Sequence, residues 1–432
     1  MLRSLHLFIA FICLVFPALM PASTPVSTFR AVLTLPVIVA ALGYFVDVYD
    51  LLLFNIVRVP SLTDLGLSEK EISLVGGRIY NFQQAGLLLG GILWGVLGDK
   101  RGRLSVLFGS IITYSLANLA CGYVQSADMY AWLRFAAGFG LAGELGAGIT
   151  LVSEVLPRHL RGYGSSVVAS VGLLGAVAAV LTVQVTGDWR MTYLIGGGLG
   201  LALLVLRFGV LESGMYREVA KSAVKRGDWG TFFTNRNRFL RYLRCMGISL
   251  PTYFVIGLLA TFGNEFGEAL RIETPILPGK CVLYTYIGMA AGDLFSGFFS
   301  QWLRSRRAAI GWMMAFTAAF AVVFLSGAIN SSAAFYVVCG CMGFGIGYIA
   351  VFLTVTAESF GTNLRATATT SVANNVRATT LLSIPAFQYL KTIPVLGTLG
   401  AGAIVGLICF TIGAWSLWGI DETYEKELDY VE

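Results

Sequence analysis

Charge is scarce in this sequence. Only 12% of its 432 residues are Asp, Glu, Lys or Arg, against about 25% in ordinary soluble domains. Histidine is scarcer still: there are two, neither with a Cys or His partner nearby, so no metal site is expected. No Walker loop occurs, which removes ATP as a driver. The one glycine run of dinucleotide-binding type, Gly138-x-Gly140-x-x-Gly143, lies inside an apolar tract and is discounted. No nucleophile–base arrangement stands out, so neither an enzyme nor a cofactor is expected. No polar stretch is long enough for a soluble output module, which argues against a sensor or scaffold. The seven Cys sit in apolar tracts without ligand spacing and read as buried thiols.

What the sequence does have is apolar length. Mean hydropathy is +0.75, and tracts of roughly 20 residues recur, each long enough to cross a bilayer. They are too long and too weakly alternating for barrel strands, and 51 Gly suit helices that pack closely in lipid. The expected fold is an all-α membrane protein with twelve transmembrane helices in two pseudo-symmetric six-helix bundles. Spans are expected near 31–54, 73–98, 104–123, 129–153, 164–186 and 191–210, then near 242–264, 281–302, 308–328, 333–357, 367–389 and 399–419. The domains are then a leader over 1–30, a first bundle over 31–210, a cytosolic linker over 211–241, a second bundle over 242–419 and an acidic tail over 420–432. The leader resembles a secretory signal, but a start of translation at Met20 fits the loop charges better.

The basic residues lie in loops, so the net charge of +6 points to topology and not to nucleic acid. Loops on one side (99–105, 154–163, 211–244, 303–307, 358–366) hold 17 Lys and Arg, and those on the other side hold six. The positive-inside rule makes the first side cytosolic, with both termini there. The halves also repeat. Glu154 to Arg161 and Glu358 to Arg365 keep the same spacing at an offset of 204, as a duplicated unit of an alternating-access carrier would.

Ionisable residues inside apolar helices are expensive and must face protein or water. Asp47 and Asp50, three apart in the first span, share one helical face. Arg78, Arg134, Glu144, Asp293 and Arg377 complete the intramembrane set. Gln83 and Gln84 offer hydrogen bonds to a polar solute, and Asn374, Tyr348 and Arg377 provide a polar second half. Arg377 is the best grip for an anion, because guanidinium holds carboxylate or phosphate bidentately; Asp293 is its alternative partner. Asp47 is a second proton site or a partner for Arg78. Glu144 serves either solute or structure. Asp99, at the start of span three, suits a helix N-terminus. Asp99, Arg103, Glu154, Arg161, Glu358 and Arg365 then form a charged latch between the bundles, able to hold one conformer.

The chain resembles the major facilitator superfamily over residues 25–432. The loop Gly95–Arg103 (GVLGDKRGR) matches the family signature between spans two and three, although Leu104 replaces its last usual basic residue. Arg134-x-x-x-Gly138 and Glu154…Arg161-Gly162 match as well. Val48-Tyr49-Asp50, Gly143-Glu144 and the half-ends Leu211-Glu-Ser and Asp421-Glu-Thr resemble the branch of sugar, phosphate and organic-acid proton symporters. That resemblance implies Asp50–Arg134 as a proton-coupling pair. The expected function is proton-coupled transport of a small polar, anionic solute such as an organic acid or phosphate, by a monomer in the inner membrane in contact with lipid, solute and protons. A sugar or polyol symporter is the alternative. An efflux antiporter comes third, since span five lacks the expected Gly-Pro element.

Overall fold

The computed structural model describes residues 33–209, 229–427 and 430–432, apart from a few side chains. The leader, with its expected start at Met20, and the linker up to residue 228 lie outside them. The first half runs α1 (Leu35–Asp64), α2 (Glu69–Arg101), α3 (Arg103–Cys121), α4 (Ala127–Leu141), α5 (Glu144–Val155), α6 (Arg161–Thr186) and α7 (Trp189–Leu206). The second runs α8 (Arg236–Ile248), α9 (Leu250–Phe254), α10 (Gly263–Ala269), α11 (Pro278–Trp302), α12 (Arg306–Leu325), α13 (Ser332–Ile346), α14 (Ile349–Ser359), α15 (Arg365–Ala378), α16 (Thr380–Lys391) and α17 (Gly397–Trp418).

Several starts are written in the sequence as capping residues. Ser126, Ser305 and Ser331 accept from the backbone N–H three residues on, satisfying donors the helix leaves open. Ser68 and Glu71 form a reciprocal capping box at α2. Gly102, at φ +100°, turns the chain between α2 and α3 in a conformation an L side chain would strain.

Nine helical stretches among the described residues are long and apolar enough to cross a membrane. The expected spans over α2, α11 and the α15–α16 pair fall below that apolarity, and the reason is position. α2 packs on α15 and α11 packs on α6, so all three belong to the seams between the halves and present less surface to lipid. The outward surfaces are apolar instead: Trp312, Val322, Leu407 and Trp418 are each more than half exposed, as bilayer contact requires.

Spans four, seven and ten are not the continuous helices expected from hydropathy. α4 stops at Leu141 and α5 starts at Glu144; α13 stops at Ile346 and α14 starts at Ile349. The two breaks sit at equivalent points of the repeat, and α4 and α13 are both 15 residues long. Span seven is α8, α9, a π-helical turn over Val255–Ala260, and α10. Broken helices at membrane depth expose backbone groups that only protein or a water-filled cavity can satisfy.

Candidate functional site

The first-half charges gather behind α1. Arg134 on α4 is fully buried and donates Nη1 to Asp50 Oδ1 at 2.9 Å and Nη2 to the Asp50 carbonyl at 3.2 Å. The rest of the guanidinium is held by Asn118 Oδ1 at 3.0 Å and Gln83 Oε1 at 3.3 Å, with the Tyr193 ring 5.5 Å from its carbon. Asp50 Oδ2 is buried without a hydrogen-bond partner. One carboxylate oxygen is thus fixed by the arginine, and the other is left without a hydrogen-bond partner. The pairing of Asp50 with Arg134 is as expected. Asn118 was missed, although an Asn in the middle of an apolar span is itself a signal.

Glu144, the first residue of α5, pairs with Arg207, which also donates to the Leu107 carbonyl. Ser110 Oγ adds a 3.3 Å bond to the carboxylate. Gly43 on α1 makes room: a Cβ there would lie 2.0 Å from Glu144 Oε1. Arg207 was missed because it stands at the end of a span, where a basic residue reads as cytosolic. Arg78, by contrast, does not enter the interior. Its side chain is 49% exposed and pairs with Asp128, so it is a partner of neither Asp47 nor Glu144.

Arg377 lies between the halves, half-buried on α15, with Nε donating to Tyr253 Oη at 3.2 Å. No carboxylate of the described residues is ion-paired with it. Tyr44, Tyr80, Tyr253 and Tyr286 stand within its electrostatic reach, and Gln84 lies against the Tyr80 hydroxyl. Asp47, 1% exposed, is also within reach of Arg377, and its Oδ1 has no hydrogen-bond partner. Asp293, the alternative partner for Arg377, is turned elsewhere: its Oδ1 accepts from Ala350 N–H at 3.0 Å in the first turn of α14. The four tyrosines were not assigned together, because they come from four helices.

Three residues expected to meet solute have their polar groups engaged by protein. Gln83 is fully buried, donating to the Leu51 carbonyl at 3.2 Å while it accepts from Arg134. Asn374 donates to the Ala142 carbonyl at 3.0 Å, joining the halves where span four breaks. Tyr348, at the break of span ten, donates to the Ile248 carbonyl at 3.0 Å.

The latch residues meet at one end of the seam. Glu154 receives Arg103 Nη2 at 2.7 Å, Arg103 Nε at 3.2 Å and Arg365 Nη1 at 2.9 Å, all with buried side chains. Arg103 also donates to the Thr362 carbonyl in the other half at 3.0 Å. Asp99 is not at the start of a helix but in the last turn of α2, and the N-terminus it faces is that of α15. Its oxygens accept from Ala366 N–H at 3.1 Å, Thr367 N–H at 2.8 Å and Thr367 Oγ1 at 2.6 Å. The second copy is looser: Glu358 and Arg306 stand 3.5 Å apart, and Glu358 accepts from Thr423 Oγ1 at 2.8 Å. Arg161 donates to the Lys426 carbonyl at 3.0 Å.

Two helical halves, broken inner spans and buried charges between them define a multi-pass membrane transporter. The chain belongs to the Major Facilitator Superfamily, whose model matches residues 40–378. It is 32% identical over 178 residues to a niacin transporter of Acinetobacter baylyi, an alignment spanning 40% of each chain. It is 26% identical over 396 residues to a cis,cis-muconate transport protein of the same species, spanning 87% of this chain and 89% of that one. Among solved structures it is similar to the proton:xylose symporter XylE, with a TM-score of 0.72 at 15% identity, covering 91% of this chain and 97% of the other. That likeness concerns the fold.

Proposed function

We propose that this chain carries a small organic anion, a carboxylate with a flat or conjugated body, together with protons by alternating access. One observation carries the reading: Arg377 lies half-buried between the halves with a phenol, and no carboxylate, as its hydrogen-bond partner. A guanidinium in that setting favours an incoming carboxylate, and four tyrosines around it offer flat aromatic surface. Niacin and cis,cis-muconate, named for the two relatives, are both flat carboxylates. Asp50 is the proton carrier, with Arg134 countering the cost of its charge and Asp47 as a second acid nearer the solute. Gln84 and Asp47 complete the solute site with Arg377, and Glu144–Arg207 braces its wall.

In this reading the latch of Asp99, Arg103, Glu154, Arg161, Glu358 and Arg365 is closed on the cytosolic side of a bacterial-type inner membrane, holding shut the path between the bundles over 31–210 and 242–419. The chain acts as a monomer and converts nothing chemically. The test is uptake into proteoliposomes of nicotinate, cis,cis-muconate, phosphate and xylose, with and without an inward proton gradient. Carboxylates are expected to accumulate against their own gradient only while the proton gradient stands, and Arg377→Gln is expected to remove uptake. Xylose carried while the carboxylates are ignored would overturn the anion reading and favour the sugar alternative.

A further inference from the structure

On the latch face, away from Arg377, the end of the chain folds back over the start of span seven. Between them lies a cavity of about 650 Å³, within the range of about 300–1,000 Å³ typical of small-molecule sites. Four cations line it: Arg238, Arg241 and Arg244 from α8, and Lys426 from the tail. Two acidic side chains oppose them, Asp421 and Glu432; with Glu432 displaced, four cations would face Asp421 alone.

One of those acids already occupies the cations. Glu432 accepts from Arg238 Nε at 2.7 Å and from Arg241 Nη1 at 2.6 Å, and Asn363 Nδ2 donates to its carbonyl at 2.9 Å. Arg244 spans the inner wall, with Nη1 donating to the Gly419 carbonyl and its carbon 5.6 Å from the Trp415 ring. Its Nε is buried and has no hydrogen-bond partner. The same segment ties the halves together, since Arg161 of the first half holds the Lys426 carbonyl and Thr362 N–H donates to the Tyr430 carbonyl at 2.8 Å.

We infer that this cavity is a regulatory site for a phosphate-bearing anion, which enters by displacing Glu432 from Arg238 and Arg241 and thereby loosens the strap over the latch face. With Glu432 displaced, the cations that remain favour an anion in its place, and the guanidinium forks match phosphate oxygens. The Glu432 carboxylate marks where one anionic group sits. Phosphate of this kind could come from a soluble phosphorylated metabolite or from the headgroup of an anionic lipid, because the exposed Trp418 adjoins the lining residues Gly419 and Ile420, and such tryptophans favour the headgroup interface.

The test is calorimetric titration of the full chain in phosphatidylcholine nanodiscs with ATP and with pyrophosphate, repeated with phosphatidylglycerol in the discs. Saturable binding is expected, weakened about ten-fold by Lys426→Gln through loss of a charge-assisted bond. Glu432→Gln is expected to tighten it several-fold, because the ion pairs of Glu432 with Arg238 and Arg241 no longer compete with the ligand. Arg377→Gln should leave it unchanged, which separates this site from the solute site. Binding of the soluble anions abolished by phosphatidylglycerol in the discs identifies the lipid headgroup as the source; binding indifferent to the lipid identifies a soluble ligand. Absence of binding in phosphatidylcholine, or affinity unmoved by both Lys426→Gln and Glu432→Gln, overturns the proposal. A variant that fails to fold is recognised by its elution profile, and Lys426→Gln, on an exposed side chain, keeps the test open.

Discussion

Asp50 and Glu144 are both buried carboxylates paired with an arginine, yet their surroundings assign them different work. Glu144 is bound by Arg207 and Ser110, and α1 has no side chain at Gly43 to disturb the pair. Removing one partner of such a pair leaves a buried charge uncompensated, at a cost of about 3–5 kcal/mol. Glu144→Gln is therefore expected to lower the thermal midpoint of the purified protein strongly, and Glu144→Gln with Arg207→Met to recover part of the loss. Equal midpoints for the single and double variants would remove the bracing role. Asp50 keeps one oxygen unpartnered beside Arg134. Asp50→Asn keeps the shape and loses the titrating group, so accumulation driven by a pH gradient should fall to the background while exchange of solute across the membrane survives. Undiminished accumulation in Asp50→Asn would refute the coupling role.

At the scale of the helix, the proposed latch centres on Glu154, which gathers Arg103 and Arg365 from opposite sides of the seam. Glu154→Gln leaves two buried guanidinium groups facing an amide, so the closed latch should lose several kcal/mol and the open conformer should gain population. Cysteine labelling of the seam from the latch face would register this as faster modification. The matched spacing of Glu154 to Arg161 and Glu358 to Arg365 was legible from the repeat, and so were the twelve spans, because hydropathy and loop charge are local properties. The breaks in spans four and ten were not read, although Gly143 and Gly347 fall at the same offset as the latch. Glycine in a membrane helix commonly serves close packing, and only backbone geometry separates a packing glycine from one at a break. Asp99 was placed at the wrong helix for a similar reason: which N-terminus a carboxylate meets depends on tertiary contact. Arg377, Tyr253 and Tyr286 were legible as polar residues of the second half, whereas Tyr44 and Tyr80 were not joined to them, since no sequence pattern links positions 44, 80, 253 and 286.

Over the whole molecule, the two halves share a plan but divide its tasks. The first holds the tight ion pairs around Asp50, Glu144 and Glu154; the second holds Arg377 and a latch copy that leans on the tail through Thr423 and Glu422. Glu422 links that tail to α12, accepting from the Arg306 and Arg307 N–H groups and from Ser305. Burial pushes its carboxyl up, but the bonds from Ser305 and from the N–H groups of Arg306, Tyr424 and Arg307 outweigh burial and hold it below the ordinary glutamate value. A carboxyl lowered in the docked state stabilises docking above its free pKa and loses that contribution as pH falls through the docked value. The tail should therefore stay docked across the neutral range and loosen only under acid conditions. Hydrogen exchange of residues 421–427 checks this: protection should hold from neutral pH down to the glutamate range and fall below it, once intrinsic exchange rates are corrected. Glu422→Gln should show the loosened pattern already at neutral pH, and protection equal to the unmodified chain in that variant would show that Glu422 does not hold the tail.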